Sequence, residues 1–174
     1  TYLGTFASKN VGAGIAVTPS SLGGPEGGNY FILAQPTTPL SADITQLASV
    51  DWVGGATGNW SDASNWAGGA IPDYANVAAV SIASGVSVSY DSGVAGATTL
   101  NSLSIGGSNL SINAGSLMVL DSTTLDGGLS ITGGNVTLNG VVNGVASGWL
   151  DIYSGSLSLN ATTDITSFGL YGGT

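Results

Sequence analysis

Between residues 80 and 159 the chain repeats a three-residue phrase, apolar–polar–apolar, next to Gly or Asn. The phrase stands at Val80-Ser81-Ile82, Val86-Ser87-Val88, Leu103-Ser104-Ile105, Leu110-Ser111-Ile112, Leu129-Ser130-Ile131, Val136-Thr137-Leu138, Leu150-Asp151-Ile152 and Leu157-Ser158-Leu159. These form four pairs whose members start 6, 7, 7 and 7 residues apart, and the pairs begin at 80, 103, 129 and 150, in steps of 23, 26 and 21. Period-two alternation is that of a strand with one buried side. A larger step of about 20 to 50 residues marks stacked repeats, in which one unit cannot bury its own apolar side. The pattern predicts a parallel β-helix (β-solenoid) of about four coils over residues 75–174, right-handed by the crossover rule. Stacking the phrases in order gives two outer columns, Ser81, Ser104, Ser130, Asp151 and Ser87, Ser111, Thr137, Ser158, with Gly106-Gly107, Gly127-Gly128, Gly133-Gly134, Asn139-Gly140 and Asn143-Gly144 at the corners. A sandwich of tight hairpins shows the same local alternation; the long step favours the solenoid.

Upstream the pattern changes. Short apolar runs at Gly4–Ala7, Gly14–Thr18, Asn29–Leu33 and Ser41–Thr45, separated by Gly and Pro, read as strands of a small β module over residues 1–49. Residues 50–74 are a Trp-rich cap or linker, DWVGGATGNWSDASNWAGGAIPD from Asp51 to Asp73, with too many breakers for a helix. Its three indoles, Trp52, Trp60 and Trp66, admit two uses. They seal the open end of a solenoid, as terminal repeats must, or they form a platform on which sugar rings stack.

Both stretches carry a resemblance. GTFASKNVGAGIAVT (Gly4–Thr18) and GNYFILAQPTTPLSADIT (Gly28–Thr45) resemble the YDG repeat of filamentous-haemagglutinin-type bacterial exoproteins. They depart from it at Gly24-Pro25-Glu26-Gly27, and the front half of the repeat is missing. The Trp-rich stretch resembles the segment that precedes β-helical tracts in two-partner-secreted and autotransporter-like exoproteins. The resemblance implies a partial sandwich-like β module ahead of the β-helix, in a large secreted adhesin of the bacterial cell surface. It also implies an outer-membrane secretion partner and a receptor or glycan on a host or neighbouring cell. On this reading the chain is a segment of a longer fibre, cut within the module at one end and within a coil at Leu170–Thr174 at the other.

Composition narrows the classes. Charged residues make up only 6% of the chain, with ten acids against Lys9 and a formal net charge of −9. Nucleic-acid binding, which needs cations to neutralise phosphates, is excluded on that balance. Anionic membranes and phosphate ligands are disfavoured. Membrane insertion is not expected, because no apolar run approaches the ~18 residues of a spanning helix. With no Cys there are neither disulfides nor thiolate metal sites.

The same inventory removes most catalysis. Without His or Cys there is no Ser–His or Cys–His nucleophile and no zinc motif, and no Asp-rich calcium loop is present. Neither metal nor cofactor is expected. Lys9 is a lone cation in a turn, a poor partner for a Ser–Lys dyad. Paired carboxylates for glycoside hydrolysis remain, with Asp121, Asp126 and Asp151 as candidates, although they share no column; solvated turn residues are the plainer account. Asn59, Asn109, Asn135 and Asn160 begin N-x-Ser/Thr triplets and are candidate glycosylation sites. The expectation is a non-catalytic structural and adhesive stalk segment. The alternative is a carbohydrate-binding or carbohydrate-active β-helix using exposed Trp and Asp, and ice binding by hydroxyl columns is a third.

Overall fold

A computed structural model describes residues 2–8, 11–22, 40–73, 75–94, 96–145 and 147–174. The chain divides into two compact units, Thr1–Gln46 and Leu47–Thr174. The regular structure of the described residues is β throughout, apart from one 3₁₀ turn at Ala63–Asn65.

In the first unit β1 (Tyr2–Phe6), β2 (Gly12–Leu22) and β3 (Leu40–Ile44) form an antiparallel sheet in that order. Its register shifts between Gly12 and Ile15. Gly14 stands in that shift with a left-handed φ of 64°, and its N–H donates to Asp43 Oδ1 at 2.8 Å. A bulge of this kind takes Gly because other residues resist that conformation. None of the side chains described in this unit is buried. The strand expected at Asn29–Leu33, the departure at Gly24–Gly27 and Lys9 lie outside the described residues.

The second unit is the parallel β-solenoid that the long step predicts. Each full coil has three strand stretches rather than two. The first stack comprises residues 97–100 at the front of β8 (Ala97–Ile105), residues 116–119 at the front of β10 (Ser116–Leu125), β12 (Asn135–Leu138) and β15 (Ser156–Leu159). The second runs through β4 (Leu47–Asp51), β6 (Val77–Ile82), the rear halves of β8 and β10, β13 (Val141–Gly144) and β16 (Thr163–Asp164). The third holds β5 (Thr57–Asn59), β7 (Ser87–Tyr90), β9 (Asn109–Ile112), β11 (Gly128–Ile131), β14 (Trp149–Ile152) and β17 (Ser167–Leu170). The parallel ladder thus begins at Leu47, and residues 47–59 already belong to it.

The third stack shows how the sequence makes this fold. Val88, Leu110, Leu129, Leu150 and Phe168 are aligned, as are Tyr90, Ile112, Ile131, Ile152 and Leu170. From Val88 to Ile152 every one of these side chains is buried. Each such aliphatic chain contributes about 1.5–3 kcal/mol by leaving water. The backbone carries the stack along the axis, as where Asn113 N donates to Tyr90 O at 2.9 Å and Tyr153 N to Ile131 O at 2.8 Å.

The two outer columns expected from the sequence are corrected by this register. Ser81 and Ser104 continue into Thr124, Asn143 and Asp164. Ser130 and Asp151 belong instead with Ser89 and Ser111. Thr137 and Ser158 follow Thr99 and Met118 on the remaining stack, and Ser87 lies beside Asn109. Up to Ile112 the paired phrases lie on the second and third stacks; from Leu129 they lie on the third and first. The stretches Leu117-Met118-Val119, with Met at the outward position, and Thr123-Thr124-Leu125, with a buried Thr at an inward one, close the gap. The steps of 23 and 21 are true register steps, from Val80 to Leu103 and from Leu129 to Leu150; only the step of 26 crosses stacks, and within the third stack Leu129 follows Leu110 after 19 residues.

Candidate functional site

The Trp-rich stretch builds the first coil. Trp52 and Trp60 follow β4 and β5, and their N–H groups donate to Ser81 O at 3.0 Å and Ser89 O at 2.7 Å, extending the ladder one step beyond each strand. Trp66 returns from the 3₁₀ turn between them. Its indole meets that of Trp52 edge-on at 5.1 Å and that of Trp60 at 4.6 Å, and Trp60 touches Tyr90 at 5.5 Å. The turn is held by Asp62, whose Oδ1 accepts from Ser64 N at 3.0 Å and from Ser64 Oγ at 2.7 Å. These bonds lower its carboxyl below the usual range.

The three rings are 6%, 0% and 1% exposed for Trp52, Trp60 and Trp66. No ring face is open, so the expectation that sugars stack on them is corrected: the indoles fill the interior of the first coil. Trp66 Nε1 donates to Trp60 O at 2.8 Å and Trp52 Nε1 to Gly55 O at 3.1 Å. Trp60 Nε1 has no acceptor among the described residues.

Tyr90 is a further aromatic of this end among the described residues. Its hydroxyl lies 2.9 Å from both Thr98 Oγ1 and Ser116 O. One arrangement serves all three groups: Thr98 donates to the phenol, which donates to the carbonyl. This explains a buried Thr98 at an inward position. Burial pushes the phenol above its ordinary value, and the charges of Asp73 and Asp91 add to the rise against the bond to Thr98.

The candidate carboxylates are not brought together as a pair. Asp121 is exposed where β10 turns between the first and second stacks, Asp126 follows the end of β10, and Asp151 points outward from β14. Among the described residues no three acidic side chains gather into a metal site. Of the sequons, Asn59, Asn135 and Asn160 are exposed. Asn135 Oδ1 accepts from Ser156 Oγ at 2.7 Å, and Asn160 Nδ2 donates to Asn139 Oδ1 at 2.8 Å. Asn109 is half-buried, with Oδ1 enclosed and without a partner among the described residues. The outer columns are interrupted by Met118, Asn143, Asp151 and Gly169, which denies ice binding the uniform hydroxyl array it needs.

One aromatic group has no counterpart in the sequence reading. On the third stack Trp149, Asp151 and Tyr153 follow one another at every second position, with Ser167, Gly169 and Tyr171 beside them on the next coil. The rings of Tyr153 and Tyr171 stack at 4.8 Å and 10°. Desolvation first, then the charge of Asp151, raises the Tyr153 phenol. The signal was available in the repetition of Asp151-Ile152-Tyr153 as Gly169-Leu170-Tyr171, one coil later. Compared with known proteins, the chain matches no family model, no curated protein and no solved structure.

Proposed function

We propose that this chain is a structural and adhesive segment of a secreted bacterial surface protein of the filamentous-haemagglutinin type, and that it performs no catalysis. The observation that carries the reading is the unbroken interior of the second unit. Inward residues from Val50 to Ile152 form one buried cluster closed at its first coil by three indoles, while backbone bonds run from coil to coil. Such an element bears tension through many bonds in register. The placement of Asp121, Asp126 and Asp151 on different stretches of the coil supports the non-catalytic reading, since glycoside hydrolysis needs two carboxylates facing one bond. The wording of residues 4–45 and 51–73 supports the family, and with it an outer-membrane export partner and a receptor or glycan on another cell.

Inert beads coated with the chain provide the test. Retention under flow on cell layers or glycan-bearing surfaces, above that of beads carrying the heat-denatured chain, is the expected result. Equal retention would remove the adhesive role. Release of soluble product from a polysaccharide panel would overturn the non-catalytic one.

A further inference from the structure

We infer that the outer surface of the third stack around Trp149, Asp151, Tyr153 and Tyr171 is a binding shelf for a neutral oligosaccharide. This deepens the adhesive reading and rests on it, naming a place and a ligand class.

The geometry is that of a shelf with its side chains held in place. Tyr153 is 49% and Tyr171 69% exposed. Tyr153 keeps that exposure with another ring over it, so its openness comes from facing outward. Parallel rings in contact stand about 3.5 Å apart, so a centroid distance of 4.8 Å means that the two overlap like shingles. Each leaves part of a face uncovered, in the offset arrangement aromatic pairs prefer.

Two glycines bring the polar group and the rings together. A Cβ on Gly169 would lie 2.3 Å from Asp151 Oδ1 and 2.6 Å from Tyr171 Cε2. The carboxylate and the ring edge therefore meet over one bare backbone position. A Cβ on Gly128, on the coil before, would lie 1.9 Å from Trp149 Cζ2, so the indole is seated flat over that backbone. Small residues flank the row on both sides: Gly128 and Ser130 below, Ser167 and Gly169 above. The result is a carboxylate between an indole at one side and two phenols at the other, rising from a floor of Gly and Ser.

This chemistry selects a sugar and excludes charged ones. Aromatic faces receive the C–H faces of pyranose rings, and a carboxylate accepts bonds from two neighbouring hydroxyls. The chain carries a net charge of −9 with Lys9 its sole cation. Uronates, sulfated glycans and phosphates are repelled at a site built around Asp151. The shelf is open rather than enclosed, which suits the weak, repeated contacts of an adhesive surface.

The test titrates the intact chain with neutral hexasaccharides (gluco-, manno-, xylo- and N-acetylglucosamine-based) alongside oligogalacturonate, read by amide NMR shifts and Trp fluorescence. At least one neutral hexasaccharide should bind and shift the resonances of residues 149–153 and 169–171. Tyr171→Ala should weaken binding at least tenfold and Asp151→Asn several-fold. Tyr153→Phe, which keeps the ring, should bind within about twofold of the parent. Circular dichroism verifies that each variant stays folded. Binding unaffected by Tyr171→Ala and Asp151→Asn would overturn the site while leaving the adhesive reading intact. So would bead retention without binding of any neutral saccharide. Tighter binding of oligogalacturonate than of every neutral sugar would overturn the ligand class. Failure of bead retention together with saccharide binding would remove both.

Discussion

Trp66 donates its indole N–H to the carbonyl of Trp60, six residues earlier and 2.8 Å away, while the indole N–H of Trp60 is buried with no acceptor among the described residues. The two rings touch and are equally hidden, yet substitution affects them differently. Trp66→Phe leaves a buried carbonyl short of a partner and a void, costing about 2–4 kcal/mol. Trp60→Phe opens a similar void but removes an unsatisfied donor whose burial costs about 1–3 kcal/mol. Urea denaturation should therefore find Trp60→Phe the more stable of the two variants. The reverse order would mean that Trp60 Nε1 has a partner, such as a buried water.

Tyr90 governs the response to alkali. Its phenol is raised by burial, so the folded chain holds the proton after the unfolded chain has lost it. The stabilisation is complete below the unfolded phenol value of about 10 and is lost as pH climbs through the folded one. Stability measured by denaturation should fall above roughly pH 10. Tyr90→Phe should flatten that fall, and should cost about 1–3 kcal/mol at neutral pH by orphaning the Thr98 hydroxyl.

Close approach of coils fixes Gly140. A Cβ there would stand 1.5 Å from Asp121 O, and withdrawing the backbone would strain the neighbouring bond from Asn139 N to Val119 O, 2.9 Å long. Gly140→Ala should cost about 1–3 kcal/mol. Gly55→Ala, where a Cβ meets nothing within 4 Å, should change stability by no more than about 0.5 kcal/mol. Thermal melts of both variants check the contrast.

The solenoid and its polar outside were legible in the sequence, because Val80-Ser81-Ile82 and its echoes alternate at period two and recur at a coil-sized step. The coil's third stretch was not legible, since Leu117-Met118-Val119 carries an apolar residue at its outward position and Thr123 is a hydroxyl at an inward one. Pattern alone reads the first as a run and the second as a break. The burial of Trp52, Trp60 and Trp66 was likewise undecidable, because an indole fills a core and greets a sugar with the same surface.

The corrected register is open to a direct check, and a chain without cysteine offers a clean background. Neighbouring strands lie about 4.8 Å apart, within the 4.4–6.8 Å that a disulfide spans. Ser104→Cys with Thr124→Cys, adjacent across β8 and β10, should cross-link on mild oxidation. Ser104→Cys with Ser130→Cys, neighbours in the sequence-derived columns but on different stacks here, should stay reduced under the same conditions, as read by mass spectrometry.

One outward column of the second stack begins with Asp51 and ends with Asp164, and Ser81, Ser104, Thr124 and Asn143 separate them. Five strand spacings amount to about 24 Å, some three times the ~8 Å over which charges feel each other at physiological ionic strength. Had the column repeated its aspartate on every coil, like charges would have stood about 4.8 Å apart and the stack would have depended on counter-ions. Neutral rungs free it from that dependence. Between about 0.15 M and 1 M sodium chloride, where screening tightens from ~8 to ~3 Å, this column therefore adds almost nothing to the salt dependence of the second unit.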